Sequence, residues 1–220
     1  MSRVVVVVAL GLAACSGNQR KPDGAVDAAP ALVGRWESPC FGVANEDGTD
    51  GYARLSYALT SATWSRESSA FADDACAAEL GFVHEDGVWT VEKAPSTLPG
   101  VFELRFDLRG RWVTPHVDGY VAFLQSMDCG KAPYVVDTPQ DIFAAGCPNL
   151  GLEPITACSS EYDLVFVNGG ILQVGLRSKD KNLCAPDRRP TSLGAPVLQK
   201  STTPPSKPWG KQAHASADRP

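Results

Sequence analysis

The chain lacks the residue groupings that carry most enzymatic chemistry. Its three histidines, His84, His116 and His214, are scattered, and no two of its seven cysteines stand at C-x-x-C spacing, so no metal-binding cluster can be assembled from sequence. Gly-x-Ser-x-Gly, His-Glu-x-x-His and a phosphate-cradling glycine loop are all missing. The chain therefore reads as a non-enzyme without a metal or cofactor. His84 or His116 beside Asp73, Asp118 or Glu85 would need the fold to bring them together, and they read as surface or turn residues. Asp73, Asp74 and Asp86 lack the spacing of a calcium loop and read as solvated turn acids. There is no basic cluster, which argues against nucleic acid and against peripheral attachment to an anionic leaflet. No apolar run approaches the roughly 20 residues that a membrane-spanning helix needs.

What is present begins at the N-terminus. Arg3 precedes the nine-residue apolar run 4–12, and Leu12-Ala13-Ala14-Cys15 closes it. The run has the length and flanks of a signal peptide, residues 1–14. Its last four residues resemble the lipobox of bacterial lipoproteins, which implies that cleavage leaves Cys15 as an acylated first residue. The rival reading is an ordinary signal peptide with Cys15 a free thiol. By the same resemblance, Ser16 rather than an aspartate after the cysteine implies export to the outer membrane. Two or more acyl chains hold a protein on its membrane where a single chain binds reversibly. Removing residues 1–14 takes away Arg3 and leaves 19 basic against 25 acidic residues, a net charge of −6.

The next segment, 15–31, holds Gly, Pro, Ala and charges without an apolar period and reads as a flexible tether. Residues 199–220, rich in Pro, Ser and Thr, read as a disordered tail. Residues 32–198 have the size and the apolar content of one domain.

That domain reads as mainly β. Phe102, Leu104, Phe106 and Leu108 alternate with Glu103, Arg105 and Asp107, the period of a half-buried antiparallel strand. Segment 54–60, with Leu55, Tyr57 and Leu59 on one face, and segment 63–71 make a hairpin. Segments 79–84 and 88–93 flank Glu85-Asp86-Gly87, where Asp-Gly suits a tight turn. Segments 162–167 and 171–176 flank Asn168-Gly169-Gly170 and make the last hairpin. A helix is expected with Thr114 as N-cap, Pro115 at the first position, Val117, Tyr120, Val121 and Leu124 on one face, and Gly130 closing it. A shorter helix over 140–145 follows Thr138-Pro139 and stops at Gly146. Both serve to seal a core.

Beyond Cys15, six cysteines remain in an exported chain and read as three disulfides, for which fifteen connectivities exist. A turn over 168–170 sets 167 opposite 171 and brings Cys158 near Cys184. Cys40, at the end of a first strand starting near Gly34, and Cys76, just past the strand 63–71, share one sheet edge. Cys129 and Cys147 remain and would tie the two helices together.

Gly34-Arg35-Trp36 opens the domain and resembles the Gly-x-Trp signature of lipocalin-like proteins. With Cys40, Tyr57, Trp64 and the run 71–76 (FADDAC), residues 32–130 resemble the lipocalin-like domain of the adenomatosis-polyposis-coli-down-regulated family. The resemblance implies an antiparallel up-and-down barrel and a taste for hydrophobic ligands; that family is associated with antagonism of lipidated Wnt ligands, which a bacterial lipoprotein would not meet. The chain departs from the pattern in lacking a second and third lipocalin motif and in placing its helix before the final hairpin. Arg177, with Arg188 and Arg189 competing, is the candidate to stack on Trp36. Two functions follow as expectations. One is a lipid-anchored module holding an apolar small molecule or acyl chain in a lumen lined by Trp36, Phe102, Leu104 and Phe106. The other is a structural or interaction lipoprotein with a side-chain-filled barrel, docking to another envelope component.

Overall fold

The structure, a computed structural model, describes residues 31–44, 50–93, 100–127, 129–130, 133–177 and 182–202. The signal segment, Cys15, all but residue 31 of the tether, and residues 203–220 of the tail lie outside them. Ten strands form one antiparallel sheet: β1 Gly34–Glu37, β2 Phe41–Ala44, β3 Asp50–Leu59, β4 Thr63–Phe71, β5 Glu79–Lys93, β6 Val101–Pro115, β7 Gln140–Asp141, β8 Ser160–Asn168, β9 Ile171–Gly175 and β10 Leu193–Ser201. The α-helix α1, Asp118–Ser126, follows β6.

Eight strands close into an up-and-down barrel because β1 pairs on both sides, Trp36 facing Lys200 of β10 and Tyr57 of β3. Closure satisfies both edges of the sheet. The order around the barrel is β1, β3, β4, β5, β6, β8, β9, β10. The two remaining strands extend its rims: β2 pairs with the start of β3, and β7 with the far end of β6.

Several local expectations are corrected. Asp86-Gly87 is no turn, since β5 runs unbroken through it, paired with β4 on one side and β6 on the other. Hydrogen bonding from both sides holds the segment extended. Gly87 is needed there for close approach, because a Cβ would stand 1.9 Å from the carbonyl oxygen of Asp107. Thr114 and Pro115 end β6 instead of starting the helix, as Phe82 and Gly81 pair with them; the N-cap is Val117. The expected helix over 140–145 is instead β7 and a turn, in which the amide of Phe143 donates to Asp141. Pairing with Trp112 and Val113 outweighs helix propensity here.

The β8–β9 hairpin forms as read, with a register one residue tighter: Asn168 faces Ile171 across Gly169 and Gly170, both at positive φ. It is followed by one more strand. β10 carries the domain to Ser201, so Gln199, Lys200 and Ser201 belong to the barrel and not to a tail. The disulfides are Cys40–Cys76, Cys129–Cys147 and Cys158–Cys184. Cys129–Cys147 joins the chain beyond α1 to a 3-10 turn at Pro148–Leu150, not to a second helix. Cys40 lies in the link between β1 and β2, past the first strand's end.

In-facing residues form three layers along the barrel. An apolar layer gathers Trp36, Leu59, Trp64, Trp89, Leu104, Leu172 and their neighbours. A second apolar layer at the other end packs Val83 and Val113 against Leu124 of α1, Ile142 and Cys129–Cys147. Between the two lie charges.

Candidate functional site

All four residues expected to line a lumen point inward and meet. Trp36, Phe102, Leu104 and Phe106 belong to one cluster and are 0–4% exposed. Phe106 packs on Trp64 with ring centroids 4.9 Å apart. The indole nitrogen of Trp36 donates to the Leu32 carbonyl at 2.9 Å, and that of Trp89 to the Thr60 carbonyl at 3.0 Å. These bonds fix two large rings inside the apolar layer. The cation over Trp36 is Lys200, 5.3 Å from the ring, and Arg177 instead reaches Glu161.

The charged layer was not read from sequence. Adjacent strands place Arg66 beside Glu85 and Glu85 beside Arg111, while β8 brings Glu161 and Asp163 inward. Arg66 donates through Nε to Glu85 at 2.7 Å and through Nη1 to Glu161 at 3.0 Å. Arg111 donates to Glu85 at 2.8 Å and to the carbonyl of Glu153 at 2.7 Å. Arg177 donates to Glu161 at 3.2 Å. Burial alone would raise the Glu161 carboxyl, but the charges of Arg66, Arg177 and Arg111 prevail and hold it down at about 2. Asp163 feels one of these cations, Arg177, and no more. Burial pushes it up to about 6, against the opposing pull of Arg177 and of the amides of Leu164 and Gly175 that bond its Oδ1. Burial likewise raises the Tyr57 hydroxyl.

Hydropathy hides this layer because β8 is apolar on its other face. Tyr162, Leu164 and Phe166 alternate with Glu161 and Asp163, and it is the acids that turn inward. The usable signal was charge matching, two acids on β8 against Arg66 and Arg111 on strands of the same barrel.

The opposite, outer face of β1, β3 and β4 carries a groove of about 530 Å³. Period-two alternation sends Tyr57 and Arg66 inward and so turns Arg54, Ser56, Glu67 and Ser69 outward. Ser56 lies between Glu37 and Glu67, and Ser69 beside Arg54. The small serines leave a trough among long charged side chains. Phe71 and the Cys40–Cys76 bridge close one end, with Glu79 across from Phe71 on β5. Arg35 bonds Glu37 at 2.7 Å, whereas Arg54 lies 5.4 Å over the Phe71 ring.

The two histidines among the described residues have neighbours. His116 pairs with Asp137 at 2.5 Å, and the His84 ring lies tilted beside Trp112 with centroids 5.7 Å apart. Asp73 accepts the amides of Ala75, Ala77 and Ala78; the bonds from Ala77 and Ala78 lower its carboxyl, as befits a turn acid. Among the described residues no three His, Cys, Asp or Glu side chains are placed to hold a metal ion.

Fold and interior together define a disulfide-braced, eight-stranded antiparallel barrel with an ion network between two apolar layers. No protein-family model matches the chain, and no curated protein matches its sequence.

Proposed function

We propose that the protein is a lipid-anchored envelope protein whose barrel is a packed scaffold and whose outer surface docks to another envelope component. The observation that carries this reading is the occupation of the barrel interior by its own side chains. Trp36, Phe102, Leu104 and Phe106 contact one cluster, and the ion network and α1 follow beyond it. A carrier of apolar molecules would need these side chains to face a space, and here they face one another. An acyl chain entering along the barrel would also have to part Arg66 from Glu85 and Glu161, leaving the buried guanidinium without its carboxylate partners. Anchoring and outer-membrane location rest on Leu12-Ala13-Ala14-Cys15 and Ser16.

The test is a titration of disulfide-intact protein with an environment-sensitive fluorescent fatty acid, competed with unlabelled lipid. The packed-scaffold reading expects no saturable signal. Saturable, competable binding that a folded Leu104→Asn variant weakens would overturn it and reinstate the carrier.

A further inference from the structure

We propose that the groove on the outer face of β1, β3 and β4 binds a short zwitterionic peptide, its carboxylate held by Arg54 and its ammonium by Glu79. This rests on the reading that recognition lies outside the barrel. The groove's volume, about 530 Å³, falls within the range of small-molecule sites. Its chemistry narrows the ligand.

Arg35 and Glu37 neutralise each other across 2.7 Å and form a wall rather than a receptor. Among the described residues neither Arg54 nor Glu79 has an ion-pair partner, so one charge of each sign stands open at the two sides of Phe71. A ligand of one sign would satisfy one of them and confront the other. Between them the floor offers the hydroxyls of Ser56 and Ser69, which can donate to and accept from peptide amides. A fatty chain would find little apolar floor. A sugar ring would need a bare aromatic face, and that of Phe71 is buried beneath the Arg54 guanidinium.

Spacing sets the length. Arg54 is on β3 and Glu79 on β5, two strands apart and offset along them by about two residues. Strands about 4.8 Å apart, with a rise of about 3.4 Å per residue, separate the two backbones by roughly 12 Å. An extended chain of three to four residues spans that distance.

The experiment is isothermal titration of the disulfide-intact full chain with trialanine, N-acetyl-trialanine and trialanine amide. Saturable binding of trialanine is expected, weakened about tenfold or more by either block. Arg54→Gln should bind trialanine and its amide alike, and Glu79→Gln should bind trialanine and its N-acetyl form alike. Both positions are on the outer face, and native circular dichroism and disulfides verify the fold of each variant. Absence of saturable binding by such protein, or binding indifferent to both blocks, overturns the proposal. Protein that binds neither trialanine nor fatty acid overturns this inference alone, whereas protein that takes fatty acid into its core overturns the packed-scaffold reading.

Discussion

Replacing Asp163 by asparagine isolates the one buried acid that the ion network does not neutralise. Asp163 is 2% exposed, and its carboxyl is pushed up to about 6 by burial. An ordinary aspartate titrates near about 3.9. The folded state therefore holds this proton more tightly than the unfolded state, and stability from this group is complete below about pH 3.9 and lost as pH rises through about 6. Two decades at about 1.36 kcal/mol each amount to about 3 kcal/mol. Glu161 acts in the opposite sense. Held at about 2, it contributes stability above the ordinary glutamate range that is lost as pH falls toward 2. Together the two acids place a maximum near pH 4, with a falling limb from about pH 4 to 6 that belongs to Asp163. An asparagine keeps the Oδ1 acceptor for the amides of Leu164 and Gly175, at 2.7 and 3.0 Å, but has no proton to release. Urea denaturation of both proteins with disulfides intact, at intervals from pH 4 to 7, gives the comparison. The stability of Asp163→Asn relative to the parent should rise by about 3 kcal/mol across that window. A flat difference, or one that falls with pH, would refute the argument that burial outweighs the charge of Arg177 at Asp163.

Other perturbations probe the remaining layers. Arg66→Met should destabilise by about 3–5 kcal/mol at neutral pH by removing the buried cation that Glu85 and Glu161 share, with the loss shrinking in acid as Glu161, relieved of the Arg66 charge that holds it down, protonates; denaturation at pH 7 and pH 3 checks both. Gly87→Ala should cost about 1–3 kcal/mol because its Cβ would sit 1.9 Å from the Asp107 oxygen and force β5 and β6 apart, seen as a lowered urea midpoint. Cys15→Ala should leave an unprocessed or unanchored precursor, and mass spectrometry of the parent's mature N-terminus showing an unmodified thiol would contradict the anchoring.

The barrel was legible where one face of a strand is uniformly apolar. Leu55, Tyr57 and Leu59 on β3, and Phe102 to Leu108 on β6, alternate cleanly and were read with the correct face inward. Two cysteine pairs, Cys158–Cys184 and Cys40–Cys76, followed from hairpin register and rim position, and Cys129–Cys147 was what remained. What escaped depends on distant strands. Asp86-Gly87 carries turn chemistry, yet β4 and β6 flank it on both sides, and long-range pairing decides its conformation. Thr114-Pro115 and 138–145 carry helix-start signals that pairing among β5, β6 and β7 overrides. β10 escaped because Pro196 and its exposed residues Ala195, Val197, Gln199 and Lys200 dilute the alternation of Gly194, Pro196 and Leu198 inward. The charged layer escaped for the same reason: each of its members is hydrophilic by itself and is buried only because the others are there.

The central claim, that the barrel is filled by its own side chains, is tested most directly at the indole N–H groups of Trp36 and Trp89. Each is bonded to a backbone carbonyl within or beside the apolar layer, at 2.9 and 3.0 Å. Nitrogen-15 spectra of tryptophan-labelled protein, recorded with and without excess dodecanoate, report on both. A packed interior predicts that neither resonance moves and that both N–H protons exchange slowly with solvent. A saturable shift of either resonance, displaced by a competing apolar ligand, would contradict the claim.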